Sequence, residues 1–253
     1  MADRFRDQTV LVTGASGLIG AGCAMAFARE GANVVAVDRE PSAFGGGRTL
    51  SLVTDLTEDG AIPAIFDAAE ERFGPVSVVA HCAAAHGRMP FLELTPQRID
   101  EVLAINVKST LLLGSTAGGR MVQHGIAGSI VTLTSISGVV SHAESVVYEA
   151  SKGAVTMATK GMANALAPFG IRVNAVGPGV MIKPQEIGER RDPLDTTPFE
   201  RTRIPLRRLG TPAEIAEAVL FLSSDAASYT TGSVLYADGG ALAVWANHEE
   251  EVA

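Results

Sequence analysis

Residues 9–38 read TVLVTGASGLIGAGCAMAFAREGANVVAVD. Thr9 to Thr13 is a short β-branched run of the kind buried in a parallel sheet. It stops at Gly14, and Gly17 and Gly20 follow at three-residue intervals. From Leu18 to Glu30 small and apolar residues (Ile19, Cys23, Phe27) recur at helical spacing and end at Gly31, a helix stop. A second strand, Asn33 to Val37, closes on Asp38. Strand, glycine turn, helix, strand and acidic end is the pattern of a dinucleotide-binding unit. The glycines let backbone approach a pyrophosphate, whose charge is met by helix N-terminal amides. A carboxylate at Asp38 accepts hydrogen bonds from a ribose diol and repels a 2′-phosphate, which favours NAD over NADP. Arg39 is the residue that would reverse this preference by swinging toward such a phosphate.

Outward from that unit the same alternation continues. Strands are predicted at Thr49–Val53, Val76–Ala80, Ile130–Leu133, Arg172–Val176 and Ser233–Tyr236. Helices are predicted over about 58–73, from Thr95 with Pro96 just inside its start, from Tyr148 to about Phe169, and from Pro212. The link from Asp38 to Thr49 is too short for a full helical crossover, so a truncated connection is expected there. The whole reads as one doubly wound α/β domain over residues 1–253, a parallel seven-stranded sheet flanked by helices on both faces. Residues 184–205 are charged and proline-punctuated, and read as a lid over substrate.

Bulk properties bound the function. With 47% hydrophobic and 19% charged residues the chain has ample apolar surface to bury, which excludes disorder. No apolar run reaches the roughly 18–20 residues that a bilayer demands, and the mixed-charge start MADRFRDQ does not read as a signal peptide. Twenty basic against 28 acidic residues argue against nucleic acid. Cys23 and Cys82 are too few for a disulfide framework or a metal cluster. His81 and His86 lack a surrounding carboxylate or thiol set and read as structural histidines rather than a metal pair. A soluble cytoplasmic protein is expected.

The chemistry is expected in residues 129–155, SIVTLTSISGVVSHAESVVYEASKGAV. The strand ends in hydroxyls at Thr134, Ser135 and Ser137, and Gly138 breaks the run. On a helix Tyr148 and Lys152 lie one turn apart on the same side. An ammonium near a phenol favours the phenolate, giving a base usable near neutral pH. Ser135 lies upstream at a strand end from which a loop returns it to that phenol. Asn106 sits among Leu103, Ile105 and Val107, a buried amide that needs partners; it is either a structural bridge or a functional polar group.

These pieces together resemble the short-chain dehydrogenase/reductase family, in its short single-domain branch, over nearly the whole chain. TGASGLIG resembles the cofactor glycine motif, although its TGxxGxxG spacing, with Leu18 in place of a glycine, is more usual in the family's longer branch. Asn106, Ser135, Tyr148 and Lys152 match the catalytic set, and GPG at Gly177–Gly179, RIPLRRLGTPAEIA and YADGG match later landmarks. HCAA at 81–84 stands where the family has NNAG, which implies loss of a polar brace on the central strand, and Lys183 replaces a Thr that contacts the nicotinamide amide.

The resemblance implies NAD held by Gly14, Ser16, Leu18, Ile19, Asp38, Asp55, Leu56, Ala83, Ala84, Tyr148, Lys152, Pro178, Gly179 and Met181. It implies hydride transfer between the nicotinamide and the carbinol carbon of a small-molecule alcohol or ketone. Tyr148 would be general acid and base, Lys152 would lower its pKa, Ser135 would bind substrate oxygen, and Asn106 would hold a relay water. Ser141, His142, Glu144 and Met89 are candidate pocket walls, with Ser135, His142 and Tyr148 facing substrate. A homotetramer is implied as well. A 3-oxoacyl thioester reductase using NADPH and a non-catalytic nicotinamide-binding protein are the competing readings.

Overall fold

The computed structural model describes residues 3–42, 45–142, 144–182 and 203–243. The first strand, β1 (Thr9–Thr13), is buried at every position, because its two faces meet different helical layers. Val10 and Val12 pack with Cys23 and Phe27 of α1 (Leu18–Arg29) and with Ile215 and Val219 of α6 (Pro212–Ser223). Leu11 points the other way, onto Ile65 and Phe66 of α2 (Ala61–Phe73) and Leu113 and Met121 of α4 (Ser109–Gln123). A strand covered on both faces has no position for a polar alternation, which explains the continuous apolar run.

The remaining strands are β2 (Asn33–Asp38), β3 (Thr49–Val53), β4 (Val76–His81), β5 (Ser129–Leu133), β6 (Arg172–Pro178) and β7 (Val234–Ala237). They pair in the order β3-β2-β1-β4-β5-β6-β7, every neighbour parallel. The winding direction changes between β1 and β4, so a crevice opens there beyond the strands' carboxyl ends, the place where such sheets bind ligands. The described residues between β2 and β3 contain no helix, in keeping with the short link.

The helical region after Thr95 departs from expectation. Thr95 caps α3 (Pro96–Leu103) by accepting from the Arg98 amide at 3.2 Å. A π turn at Ala104–Lys108 then separates it from α4. Helix α5 (Val146–Leu166) packs on α4 through glycine: a Cβ on Gly118 would lie 2.7 Å from Leu166 Cδ2. Helix α6 begins with a reciprocal capping box between Thr211 and Glu214. Lys183 and all of the expected lid except residues 203–205 lie outside the described residues.

Candidate active site

The dinucleotide turn is built from backbone. Gly14, just past β1, has φ +67°, and a Cβ there would lie 2.7 Å from the Ala83 nitrogen and 2.8 Å from its Cα. Gly17 is the N-cap of α1 and offers no side chain to the helix's first amides, so those amides, next to Leu18 and Ile19, remain available to an anion. The Ser16 amide donates to Asp38 Oδ2 at 2.9 Å and the Glu40 amide donates to Asp38 Oδ1 at 3.0 Å. One carboxylate at the end of β2 thus holds the glycine turn in place and keeps further lone pairs. Beyond β3, Asp55 accepts from the Thr57 hydroxyl at 2.7 Å and amide at 2.8 Å, and these bonds hold its carboxyl below the ordinary range. Arg39, Thr54 and Asp55 line one groove, with Leu56 buried beside it. A glycine cradle, an uncapped helix start and a carboxylate at the next strand end fit a dinucleotide.

At the end of β4 the structure corrects an expectation. His81 does not cost the central strand its brace; it supplies one. Its Nδ1 lies 2.7 Å from Thr13 Oγ1 on β1 and its Nε2 3.3 Å from Ser109 Oγ on α4. The Ser109 hydroxyl donates to the Ile105 carbonyl, so it accepts from Nε2–H, and Nδ1 is left to accept from Thr13. Thr13 Oγ1 in turn accepts from the Ala83 amide at 3.3 Å. Burial, with a smaller contribution from the Lys152 charge, pushes His81 down to about 3, so this imidazole is neutral. Ala83 sits against Gly14, and Ala84 is exposed at the crevice.

The three residues expected to react do converge. Ser135 follows β5, with its Oγ accepting from the Ser137 amide at 3.1 Å. Tyr148 and Lys152 share one side of α5, and Lys152 Nζ lies 5.5 Å from the Tyr148 ring centroid. Burial raises the Tyr148 phenol above its usual value, opposed by a hydrogen bond with Ser135. That direction runs opposite to the expected lowering by Lys152: desolvation exceeds the opposing Ser135 hydrogen bond. Lys152 is itself buried, donates to the Leu133 carbonyl at 2.8 Å, and is lowered by burial to about 8.

Asn106 lies in the π turn and is a bridge. Its Oδ1 accepts from the Ala85 amide at 2.7 Å. Its Nδ2 donates to the Ala85 carbonyl at 3.0 Å and to Ser151 Oγ at 2.9 Å. Even its backbone carbonyl is used, by the Thr110 hydroxyl at 2.7 Å. The relay expectation therefore meets an amide already committed to fixing the 82–90 loop against α5.

Across the crevice β6 ends at Pro178. A Cβ on Gly179 would lie 2.6 Å from Asp238 Cα. Met181 bridges Gly210 and packs against the α1–α6 core. His142 is exposed; its amide donates to the Glu149 carboxylate and its carbonyl accepts from Ser145 at 3.1 Å. Sequence reasoning set His86 aside as a structural histidine, yet its ring stacks on Tyr148 at 4.8 Å and 26°. No spacing rule flags it, because it sits in an irregular loop. Among the described residues no group of three or more metal-ligating side chains gathers.

A family model described as enoyl-(acyl carrier protein) reductase matches residues 14–241. The chain belongs to the short-chain dehydrogenase/reductase family. Cis-4-hydroxycyclohexanecarboxylate dehydrogenase of Sinomonas cyclohexanicum is 37% identical over 253 residues, covering 96% of this chain and all of that one. Galactitol 2-dehydrogenase (L-tagatose-forming) of Cereibacter sphaeroides is 38% identical over 245 residues, covering 92% of this chain and 94% of that one. The crystal structure of a short chain dehydrogenase from Leptospira borgpetersenii with bound NAD+ superposes with a TM-score of 0.84 at 29% identity, covering 94% of each chain.

Proposed function

We propose that this protein is an NAD-dependent oxidoreductase interconverting a secondary alcohol and a ketone, acting as one dinucleotide-binding and catalytic domain. One observation carries the reading: Ser135, Tyr148 and Lys152 converge beyond β5 beside a glycine turn shaped for a dinucleotide. Bound NAD supplies the hydride acceptor. Tyr148 takes the carbinol proton in oxidation and returns it in reduction. Ser135 donates to the substrate oxygen and stabilises the charge that develops there. Lys152, cationic below about pH 8, holds the nicotinamide ribose and places positive charge beside the phenol. Asn106 is a positioning residue for the 82–90 loop. Gly14, Ser16, Leu18 and Ile19 hold the pyrophosphate, Asp38 the ribose and Asp55 with Leu56 the adenine. Ala83, Ala84, Pro178, Gly179 and Met181 flank the nicotinamide.

The test is formation of reduced nicotinamide with NAD and NADP separately, over cis-4-hydroxycyclohexanecarboxylate, galactitol, hydroxysteroids and simple secondary alcohols. Turnover with NAD supports the reading; turnover with NADP alone would transfer control from Asp38 to Arg39. A 3-oxoacyl thioester reductase is the second reading; the family model's description shares with it an acyl thioester but names the enoyl group, and Asp38, a carboxylate where NADP needs a cation, opposes it. Reduction of a 3-oxoacyl thioester with NADPH, together with silence on free alcohols, would reverse that ranking. We assign the protein to the cytoplasm; no helix among the described residues is long and apolar enough to cross a membrane. The exposed Leu111 and Leu112 of α4 and Met157 of α5 support a homotetramer, which light scattering checks.

A further inference from the structure

His86 lies on the loop after β4, and its ring meets that of Tyr148 nearly face to face, with centroids 4.8 Å apart and planes 26° from parallel. That separation is within the range of an offset aromatic stack. An exposed histidine on a free loop would give up such a contact to water, yet this loop is fastened at every step. At Ala85 the Asn106 side chain holds both amide and carbonyl. The His86 carbonyl accepts from the Arg98 guanidinium. Gly87 backs onto α3, where a Cβ would lie 2.9 Å from Val102 Cγ2, and the Met89 amide donates to the Glu144 carbonyl at 2.9 Å.

One of those ties returns to Tyr148. Asn106 Nδ2 also donates to Ser151 Oγ at 2.9 Å, and the Ser151 hydroxyl donates to the Tyr148 carbonyl at 2.6 Å. The loop backbone and the tyrosine backbone are thus joined through two side chains, and the two rings stack beside that frame. The phenol hydroxyl is held separately, by its hydrogen bond with Ser135. Proton transfer needs the phenol oxygen within hydrogen-bond reach of the substrate, so the orientation of the ring bears directly on rate. The imidazole can supply this without charge. Partial burial lowers its pKa, and the Lys152 and Arg88 charges act in the same direction, while the Glu149 carboxylate of α5 accepts from the His142 amide.

We infer that His86 is a positioning residue for Tyr148: its ring covers one face of the phenol, fixes the orientation of that ring and keeps water from that face. The inference rests on the oxidoreductase reading, in which Tyr148 moves the proton, and adds the residue that sets Tyr148 in place.

The test compares His86→Ala with His86→Phe, which keeps a flat ring and removes the titratable nitrogens. His86 is exposed, so neither change leaves a buried void. In oxidation of cis-4-hydroxycyclohexanecarboxylate and of galactitol with saturating NAD, His86→Ala should lower kcat/KM by about tenfold, the size of one aromatic contact, and equally for both alcohols. NADH affinity should be unchanged. The acid limb of the pH profile should move to lower pH, because uncovering the phenol restores solvation of the phenolate and lowers a pKa that burial raises. His86→Phe should recover most of the rate and the wild-type limb. A wild-type rate in His86→Ala, a slower His86→Ala with its limb unmoved, unequal losses for the two alcohols, or a His86→Phe no better than His86→Ala overturns the inference. Silence of the wild type on both alcohols defeats the oxidoreductase reading for this pair. The inference is then read from the titration of Tyr148 itself, followed by NMR of ring-labelled tyrosine and assigned by the signal lost in Tyr148→Phe. A lower midpoint in His86→Ala, restored in His86→Phe, upholds it; any other order of midpoints overturns it.

Discussion

The two sides of the crevice are made in different ways. On the cofactor side Gly14, Gly17 and the start of α1 present backbone groups, and Asp38 ties them to β2 through two amides. On the substrate side the His86 ring meets Tyr148 from a loop with no regular structure, fixed by Arg98, Asn106 and Glu144. Where backbone does the binding, the residue types are dictated by sterics and recur at fixed spacing. Where side chains on a loop do it, the fastening contacts come from distant elements and no spacing records them.

The sharpest way to break this contrast is at the junction of the two sides. Tyr148→Phe should lower turnover by about 10³-fold, within the range for loss of a general acid and base, while NADH binding measured by fluorescence is retained; a variant that still turns over normally removes Tyr148 from its role. Gly14→Ala tests the backbone side. With φ +67° and Ala83 backbone at 2.7 Å, the variant should lose stability by at least about 1–2 kcal/mol and weaken NAD binding by more than it weakens any substrate contact. Calorimetry and NAD titration check both.

Asn106→Ala tests the fastening. It strips partners from the half-buried Ala85 amide and carbonyl, a cost of about 1 kcal/mol in melting experiments, and should raise substrate KM more than NAD KM. An effect on NAD alone would place Asn106 on the wrong side of the comparison.

The last effect concerns His81, and it is absent at neutral pH and grows only as pH falls. Its folded pKa of about 3 lies below the ordinary value of 6.5, so the unfolded chain binds the proton first as pH falls. Stability from this group is complete above about pH 6.5 and declines as pH drops toward 3, by up to about 1.4 kcal/mol per unit. His81→Asn should flatten the decline between pH 6.5 and 4.5, above the window in which Glu214, held near 2, begins to contribute. Identical slopes in the two proteins would show that the imidazole is protonated without penalty.

Much of the fold was legible. The strand at Thr9–Thr13 was read at its true bounds, where a β-branched run stops at Gly14, and β3 likewise. Ser135, Tyr148 and Lys152 were found through spacing along one strand end and one helix. The neutral bracing role of His81 was visible only as the lack of metal partners, since Thr13 and Ser109 reach it from elsewhere in the chain. The upward direction at Tyr148 was misjudged because a helical spacing reports a neighbouring charge and says nothing of desolvation. The break between α3 and α4 was hidden by continuous helical composition through Asn106.

That break sets a count. A π turn takes in a residue more than an α turn, and each residue of an α-helix advances the chain by about 100°. Deleting one residue from Ala104–Lys108 would let α3 and α4 fuse into an unbroken helix, yet everything beyond the deletion would be rotated by roughly that angle relative to α3. Leu113, Ala117 and Met121 would swing away from the sheet, or Val102 would swing away from Gly87. Chain length across these five residues is therefore as tightly specified as any side chain, and homologous replacements in this segment must preserve number before they preserve chemistry.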